Sequence, residues 1–288
     1  MDASSVIARI TDWATDDENV RAVLLTSSQV SGDTDALSDF DVELYVSDPA
    51  PFLGEPDWQV YLGDVLVRLP PEAEDRDANQ FGRLVIHADG TKVDYSIYRV
   101  QVLEEMVRSQ RLHTLLELGY RVLLDRDGLA ARLPAPSYRA EISSKPTEQE
   151  FADTVEEFFW ETTYVAKNLR RGELWPWKYS LESVMKLELL RRILEWRVEI
   201  AHGWSLRAGV LGRRLKRHLD GRTWGELERT FVGAGVEENW TALFATIGLF
   251  RRVAREVARE LGYGYPQSLD DRVSSYLRKV RALERLEP

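Results

Sequence analysis

The sequence contains no cysteine. This absence excludes disulfide bonds, zinc sites built from thiolates and catalysis by a thiol. No apolar run approaches the length that crosses a bilayer, and residues 1–17 do not show the basic and then apolar segments of a signal peptide. There is also no internal repeat and no low-complexity segment. We therefore expect a cytoplasmic protein.

Charge is unevenly distributed along the 288 residues, whose net charge is −10. Residues 1–138 hold 12 Lys and Arg against 25 Asp and Glu, whereas residues 139–288 hold 26 against 23. An acidic half suits metal ions or a polycationic substrate and argues against nucleic-acid binding. An acidic surface also keeps many proteins in solution, so charge alone does not decide between these interpretations.

The first half alternates helical and strand patterns. Apolar spacing predicts helices over residues 6–14 and 100–118, and a polar exposed loop over residues 72–80. Asp89-Gly90 between two β-rich runs predicts a hairpin, because this turn needs residues that tolerate positive φ. The predicted strands cover residues 21–25, 42–46, 84–87, 92–98 and 120–124, with a further extended region at 58–61 and 65–69. Such a mixed order predicts an α/β sandwich around a mixed sheet.

The second half has a helical pattern throughout. Prolines place a linker within residues 131–147, and Thr147 with Glu150 resembles a capping box at a helix start. Residues 181–200, 240–261 and 269–286 carry apolar side chains at three- and four-residue spacing. The predicted fold class is therefore α+β, with a mixed-sheet domain followed by an all-helical bundle.

Two acidic residues mark the most informative motif, Ser38-Asp39-Phe40-Asp41. Asp39 and Asp41 are two residues apart at a strand start, so both carboxylates project from one face. Adjacent anions are costly unless a cation binds between them. Asp-x-Asp also occurs at helix caps and in exposed loops, but here a strand and a small polar turn precede it. Asp94 lies on a later strand, where an unpaired buried carboxylate would be expensive.

This layout is typical of a nucleotidyltransferase active site. Asp39 and Asp41 are the expected Mg²⁺ ligands, since this ion takes a few carboxylates together with substrate phosphates. Asp94 is expected to complete the metal site or to accept the proton of the attacking hydroxyl. The turn with Ser27 and Ser28 is expected to present backbone N–H groups and hydroxyls to the nucleotide's β- and γ-phosphates.

These residues resemble the aminoglycoside 6-adenylyltransferases, also called streptomycin adenylyltransferases, within the nucleotidyltransferase superfamily. The resemblance covers almost the whole chain. Its motifs lie at residues 23–28, 38–41, 88–94 and 122–127 in the first half, and at 158–167, 194–204, 212–216 and 263–266 in the second.

The resemblance implies a nucleotidyltransferase domain over residues 1–138 and a helical domain over 139–288 that binds substrate and nucleotide. It implies Mg²⁺-dependent transfer of AMP from ATP to a hydroxyl of a cationic aminoglycoside, the 6-hydroxyl of streptomycin, which confers antibiotic resistance. Lys167 and Lys178 are the implied partners of the triphosphate. We expect a monomer that binds neither nucleic acid nor a membrane.

The chain departs from the family pattern at the phosphate turn. The family's Gly-Ser-Arg is replaced by Ser27, Ser28 and Gln29, so a positive charge is lost, and the loop from Ser28 to Asp39 is shorter. Serine also restricts φ where glycine would not. Two alternatives therefore stay open: a non-catalytic nucleotide-binding or regulatory module, and a nucleotidyltransferase with a different acceptor.

Further residues have two interpretations each. Glu43 shares the face of Asp39 and Asp41, where it would meet a cationic substrate, unless it points to solvent. His202 is expected to cap a helix end rather than to touch a ligand. Glu157 and Glu161, one helix turn apart and with Glu156 beside them, either accept the guanidinium groups of streptomycin or form a solvated acidic face. Helical spacing favours a core position over a ligand-stacking wall for the aromatic residues Trp160, Tyr164, Trp175, Trp177 and Tyr179.

Overall fold

The computed structural model describes residues 1–26, 28–31, 35, 37–54, 57–70, 72–73, 79–140, 142–206 and 209–284. The chain divides into two compact units, Met1–Ala140 and Glu141–Pro288. The helices of the first unit are α1 (Ala3–Asp16), α2 (Ser28–Ser31), α3 (Ala50–Leu53) and α4 (Val100–Ser109). Its strands are β1 (Val20–Thr26), β2 (Phe40–Val46), β3 (Val65–Arg68), β4 (Glu72–Ala73), β5 (Gln80–His87), β6 (Lys92–Arg99) and β7 (Tyr120–Asp125).

Within the described part of the first unit, these strands form one seven-stranded sheet. The order is β3-β5-β6-β2-β1-β7, and β4 pairs with β5 beside this path. β2 and β6 run parallel, whereas the other pairs are antiparallel. β5 and β6 form the predicted hairpin around Gly90, whose φ is +86°. The predicted mixed sheet is therefore confirmed.

Strand alternation divides the side chains of this sheet between two cores. On one face, Val42 and Leu44 of β2 pack with Val6 and Ile10 of α1. On the other face, Leu24 of β1 and Tyr45 of β2 belong to a core with α4. Residues 41, 43 and 45 of β2 share this second face, as do residues 94, 96 and 98 of β6. The acidic residues of the predicted site therefore lie on the α4 face.

Two predictions in the first unit are wrong. Residues 58–61 belong to a 3₁₀ helix, Asp57–Leu62, because Trp58 and Tyr61 stack on Trp13 of α1 and tertiary packing overrides strand propensity. The helix predicted over 100–118 ends at Ser109, because Gln110 adopts a left-handed φ of +53°. A 3₁₀ turn, Leu116–Leu118, follows. The loop predicted over 72–80 is wrong at both ends, where Glu72 and Ala73 form β4 and Gln80 begins β5, and its residues 74–78 lie outside the described residues.

The second unit is helical. Its helices are α5 (Glu148–Arg171), α6 (Leu174–Lys178), α7 (Arg191–Ala201), α8 (Gly221–Glu228), α9 (Val236–Leu261) and α10 (Gln267–Ala282). Thr147 and Glu150 form the predicted capping box of α5. The helix predicted over 181–200 is π-helical over Tyr179–Leu190 and α-helical only in α7. This unit confirms the predicted all-helical second half and, with the sheet, the α+β class.

The core of the second unit is aromatic and aliphatic. Phe158 of α5 and Phe250 of α9 stack with ring centroids 3.6 Å apart, and Trp240 of α9 is fully buried. Asp270 fixes the start of α10, since its buried carboxylate accepts two hydrogen bonds of 2.6 Å from Arg251 and one of 2.8 Å from Tyr265. Across the residues that the structure describes, no helix is both long and apolar enough to pass through a bilayer.

Candidate active site

Adjacent parallel strands bring two of the predicted acids side by side. Asp41 of β2 and Asp94 of β6 are partners in the strand register. Side chains that are paired in register point to the same face, so both carboxylates project toward the α4 side of the sheet. Asp39 lies two residues before Asp41, immediately ahead of β2. The strand register thus places Asp41 and Asp94 side by side, with Asp39 two residues ahead of Asp41.

A lysine lies among these acids. The ammonium group of Lys92, the first residue of β6, donates hydrogen bonds to Oδ2 of Asp39 at 2.7 Å and to Oδ2 of Asp94 at 3.1 Å. Burial lowers the pKa of Lys92, but the hydrogen bonds from its ammonium group to Asp39 and Asp94 outweigh it and raise the pKa above its ordinary value. Lys92 is therefore a cation of the site.

Asp94 is more enclosed than Asp39, whose side chain is 39% exposed. About a quarter of the Asp94 side chain is exposed. Burial raises the pKa of Asp94, although the hydrogen bond from Lys92 opposes this shift. Its Oδ1 atom is buried and has no hydrogen-bond partner among the described residues. A half-buried carboxylate with a raised pKa and an unpaired oxygen suits either a cation ligand or a proton acceptor.

The donor set fits Mg²⁺. This ion takes hard oxygen ligands from one or two carboxylates and completes its shell with phosphate and water, and Asp39, Asp41 and Asp94 supply such oxygens. The unpaired Oδ1 of Asp94 is an available ligand atom. Within the described ranges, no three Asp, Glu or His side chains are already gathered as metal ligands. The Lys92 ammonium instead contacts two of the three acids.

The turn after β1 is partly described. Ser27 lies outside the described residues, as does the side chain of Ser28, which begins α2. Nε2 of Gln29 donates to the carbonyl oxygen of Asp39 at 3.3 Å, and Oγ1 of Thr26 donates to the carbonyl of Asp41 at 3.4 Å. The Gln29 side chain therefore connects the turn to the segment that carries Asp39 and Asp41.

Glu43 shares the face of Asp41, as expected, but its side chain reaches neither a substrate surface nor solvent. It is 1% exposed, and its Oε2 accepts a hydrogen bond of 2.7 Å from the hydroxyl of Tyr45. Nε2 of His113 lies 3.2 Å from the same oxygen. Burial and the neighbouring Glu43 raise the pKa of Tyr45 well above its ordinary value. Glu43 thus lies in the interior of the sheet face, two residues beyond Asp41, rather than at a substrate surface or in solvent.

The two predicted triphosphate lysines belong to the second unit. The ammonium of Lys167 lies 4.5 Å above the ring centre of Tyr164 on α5. The ammonium of Lys178, at the end of α6, donates to Oε1 of Glu182 at 3.1 Å and to the carbonyl of Val232 at 2.9 Å. Two of the three donors of Lys178 are therefore used inside the helical unit. Their role toward nucleotide stays a prediction.

The remaining candidates divide between structural and exposed positions. His202 ends α7, and its Nδ1 lies 2.9 Å from the carbonyl oxygen of Val198, as expected for a helix cap. The core prediction for the aromatic group holds for buried Trp177 but is wrong for the others, since Trp160, Tyr164, Trp175 and Tyr179 are exposed. Their spacing is helical, yet these ring positions fall on the solvent side of their helices.

Glu157 contributes to an open groove of the helical unit. The groove has a volume of about 390 Å³ and is lined by Ser143, Ser144, Pro146, Glu150, Asp153, Thr154, Glu157, Arg192, Glu195 and Trp196. Glu156 and Glu161 do not belong to this lining set. Binding of a cationic group by Glu157 stays a prediction, and the groove described here is the surface on which it would occur.

Sequence reasoning missed Lys92 and His113. The signal for Lys92 was available, because Lys92-x-Asp94 alternates within one strand and so places both side chains on one face. No local signal pointed to His113, which is 70 residues from Glu43 in the chain.

Comparison with known proteins gives consistent matches over nearly the whole chain. The family model described as streptomycin adenylyltransferase matches residues 2–280. An aminoglycoside 6-adenylyltransferase of Bacillus subtilis (strain 168) is 28% identical over 92% of this chain and 93% of its own length. One from Campylobacter jejuni is 27% identical over 93% and 92%. A crystal structure of an aminoglycoside 6-adenyltransferase from Bacillus subtilis covers 98% of this chain and 100% of its own, with 25% identity and a TM-score of 0.48.

Proposed function

Because the chain belongs to the streptomycin adenylyltransferase family, a family of nucleotidyltransferase enzymes, we propose that it transfers AMP from ATP to a hydroxyl of an aminoglycoside. The observation that carries this proposal is the pairing of Asp41 and Asp94 in register on parallel strands, with Asp39 two residues away. Neighbouring carboxylates on one face of a sheet repel each other and destabilise the fold unless they bind a cation or one of them takes up a proton.

We propose that Asp39, Asp41 and Asp94 hold Mg²⁺. When bound, the ion would neutralise the triphosphate and the developing charge on pyrophosphate. The chain's own residues supply the remaining functions. The backbone around Ser27 and Ser28 is the proposed binding site of the β- and γ-phosphates, and Lys167 and Lys178 are the further proposed partners of the triphosphate.

Asp94 is the proposed proton acceptor if it is not required as a ligand. In the reaction the acceptor's hydroxyl oxygen forms a bond to the α-phosphorus of ATP, and the bond from that phosphorus to the pyrophosphate oxygen breaks. The hydroxyl proton passes to the carboxylate of Asp94. Its raised pKa favours this role, because a base works best when its pKa approaches the working pH.

The proposed acceptor is streptomycin, modified at its 6-hydroxyl, which would confer resistance to the antibiotic. The relatives named above are aminoglycoside 6-adenylyltransferases, and aminoglycosides are polycations that an acidic protein attracts. We further propose that the first unit is the catalytic domain, and that the helical unit binds substrate and nucleotide. The expectations of a cytoplasmic monomer that binds neither nucleic acid nor a membrane stay predictions.

The test is mass spectrometry of streptomycin incubated with the protein, ATP and Mg²⁺. We expect a product heavier by one adenylyl group, with pyrophosphate released in equal amount. The matched control is Asp41→Asn, which keeps the size of the side chain and removes its charge, and we expect no product from it. ATP binding without product from any hydroxylated aminoglycoside would instead support the non-catalytic module. Product formed at a normal rate by Asp41→Asn would overturn the metal role of Asp41.

A further inference from the structure

Lys92 has a contact geometry that none of the roles above uses. Its ammonium group touches Oδ2 of Asp39 and Oδ2 of Asp94, at 2.7 and 3.1 Å. These two oxygens belong to residues proposed as metal ligands. Lys92 and Asp94 are two residues apart on β6, so strand alternation directs both side chains to the site face. One monovalent cation therefore bridges two carboxylates of the site.

Because of this geometry, Mg²⁺ and the Lys92 ammonium would compete for Asp39 and Asp94. Mg²⁺ binds carboxylate oxygens at about 2.0–2.1 Å and repels other cations at short range. A metal ion on the unpaired Oδ1 of Asp94 would lie within a few ångströms of an ammonium group held on Oδ2 of the same carboxylate, and two cations that close repel each other. Metal binding through Asp39 and Asp94 therefore favours movement of the Lys92 ammonium away from at least one of them.

The position of Lys92 permits this movement. Its side chain is 35% exposed, and it stands at the start of β6, directly after the hairpin turn at Gly90. A lysine ammonium is a point charge on a flexible four-carbon stem, so it can turn to a new partner without moving the strand. A metal–nucleotide complex brings phosphate oxygens of opposite charge to the same place.

We propose that the Lys92 ammonium is an exchangeable cation of the site. In the metal-free protein it neutralises Asp39 and Asp94. When the metal binds with nucleotide, the Lys92 side chain swings away from these carboxylates and its ammonium group contacts a phosphate of the nucleotide instead. This inference rests on the proposed metal site. In this role Lys92 prevents repulsion between the empty carboxylates and then contributes positive charge to the nucleotide. It also makes metal binding weaker without nucleotide than with it.

The first test measures Mn²⁺ binding to the full-length protein without nucleotide, by electron paramagnetic resonance of the free ion. We compare the wild type with Lys92→Met and with Lys145→Met, which makes the same change in net charge at an exposed lysine of the other unit. Lys92→Met is expected to tighten Mn²⁺ binding about tenfold, because the competing cation is gone. Lys145→Met is expected to bind Mn²⁺ like the wild type.

The second test measures binding of a non-hydrolysable ATP analogue in the presence of Mn²⁺ by calorimetry. Lys92→Met is expected to bind the analogue about tenfold more weakly than the wild type, since a charged contact to phosphate is lost. A purely structural lysine would not produce opposite changes in the two affinities. In melting experiments, metal-free Lys92→Met is expected to be less stable than the wild type and to be restored by Mn²⁺.

The outcomes separate this inference from the proposed function. If the wild type binds Mn²⁺, Asp41→Asn does not, and Lys92→Met binds it no more tightly than the wild type, the exchange role is wrong and the metal site stands. If neither the wild type nor Lys92→Met binds Mn²⁺ with or without the analogue, the metal site is wrong and the exchange role falls with it. If Lys92→Met binds Mn²⁺ more tightly but binds the ATP analogue as well as the wild type does, the proposed contact between the Lys92 ammonium and phosphate is wrong.

Discussion

Asp41 and Asp94 lie directly opposite each other on the parallel strands β2 and β6, although 53 positions separate them in the sequence. Their shared register fixes the spacing of the two carboxylates through the hydrogen bonds of the sheet rather than through flexible loops. A site built on rigid strands holds its geometry when no ligand is present. Because the strand backbone positions both carboxylates, we expect substitution of Asp41 or Asp94 by asparagine to change catalysis without disrupting the fold.

Asp94→Asn is expected to lower kcat by at least about 100-fold, since either a metal ligand or the proton acceptor is lost. Steady-state kinetics with streptomycin, over a range of Mg²⁺ concentrations, measures the effect. Recovery of kcat at high Mg²⁺ would assign Asp94 as a ligand, whereas a loss independent of Mg²⁺ would assign it as the base. Unchanged kcat at all Mg²⁺ concentrations would contradict both roles.

Tyr45→Phe is expected to destabilise the protein by about 1–3 kcal/mol, because it removes a hydrogen bond to the buried carboxylate of Glu43. Urea denaturation followed by circular dichroism gives the free energy of unfolding. The control is Tyr120→Phe, whose hydroxyl donates to the carbonyl of Pro134 at 3.1 Å from a half-buried position. We expect a smaller loss there, and equal losses in the two variants would count against an energetically important Glu43 contact.

Lys167→Met and Lys178→Met are both expected to raise KM for ATP about tenfold if both lysines meet the triphosphate. They should differ in stability. Lys178→Met removes hydrogen bonds to Glu182 and Val232 and is expected to lower Tm, whereas the Lys167 ammonium lies over the Tyr164 ring and its loss should matter less. A lower Tm with unchanged KM in Lys178→Met would assign this lysine to the fold alone.

Asp220 gives a prediction for acid stability. A hydrogen bond from the Thr223 backbone N–H, with further help from Arg197, lowers the pKa of this N-cap residue of α8 from 3.8 to about 2. A lowered pKa in the folded state means that the charge stabilises the fold above about pH 4 and that this contribution is lost between about pH 4 and pH 2.

Asp220→Asn keeps the capping group but not the charge, so it should melt below the wild type at about pH 6. The difference in Tm should shrink as the pH falls below about 4 and be small near pH 2. Thermal scans of both proteins from about pH 6 to about pH 2 provide the measurement. A difference in Tm that stays constant over this range would show that the charge of Asp220 does not stabilise α8.

Glu157→Gln is expected to raise KM for streptomycin about two- to fivefold, because it removes one negative charge from the groove of the helical unit. Glu156→Gln makes the same chemical change at the neighbouring exposed position outside the groove lining and should leave KM unchanged. Equal effects of the two substitutions would indicate a general electrostatic attraction rather than a contact in the groove.

Much of this protein could be predicted from local patterns. The Asp-Gly turn, the capping box at Thr147 and the Asp-x-Asp motif are short signals, and each depends on backbone geometry within a few residues. The errors came where distant residues decide the outcome. Trp58 and Tyr61 lie in a helical turn and not in the expected strand, because both rings stack on Trp13 of α1. The sequence around residues 58–61 does not reveal this distant partner.

By itself, the sequence determined the α+β class, the strands that carry Asp41 and Asp94, the position of Asp39 just ahead of the first of them, and the resemblance to one family. The class and the strands follow from residue periodicity and composition, which act along the chain, whereas the resemblance rests on short motifs. The tertiary structure alone decided which strands became neighbours, and hence that Asp41 faces Asp94. It also decided that Lys92 bridges two acids and that Glu43 is buried against Tyr45 and His113. Such pairings depend on the register and packing of segments far apart in the sequence, which only the folded chain specifies.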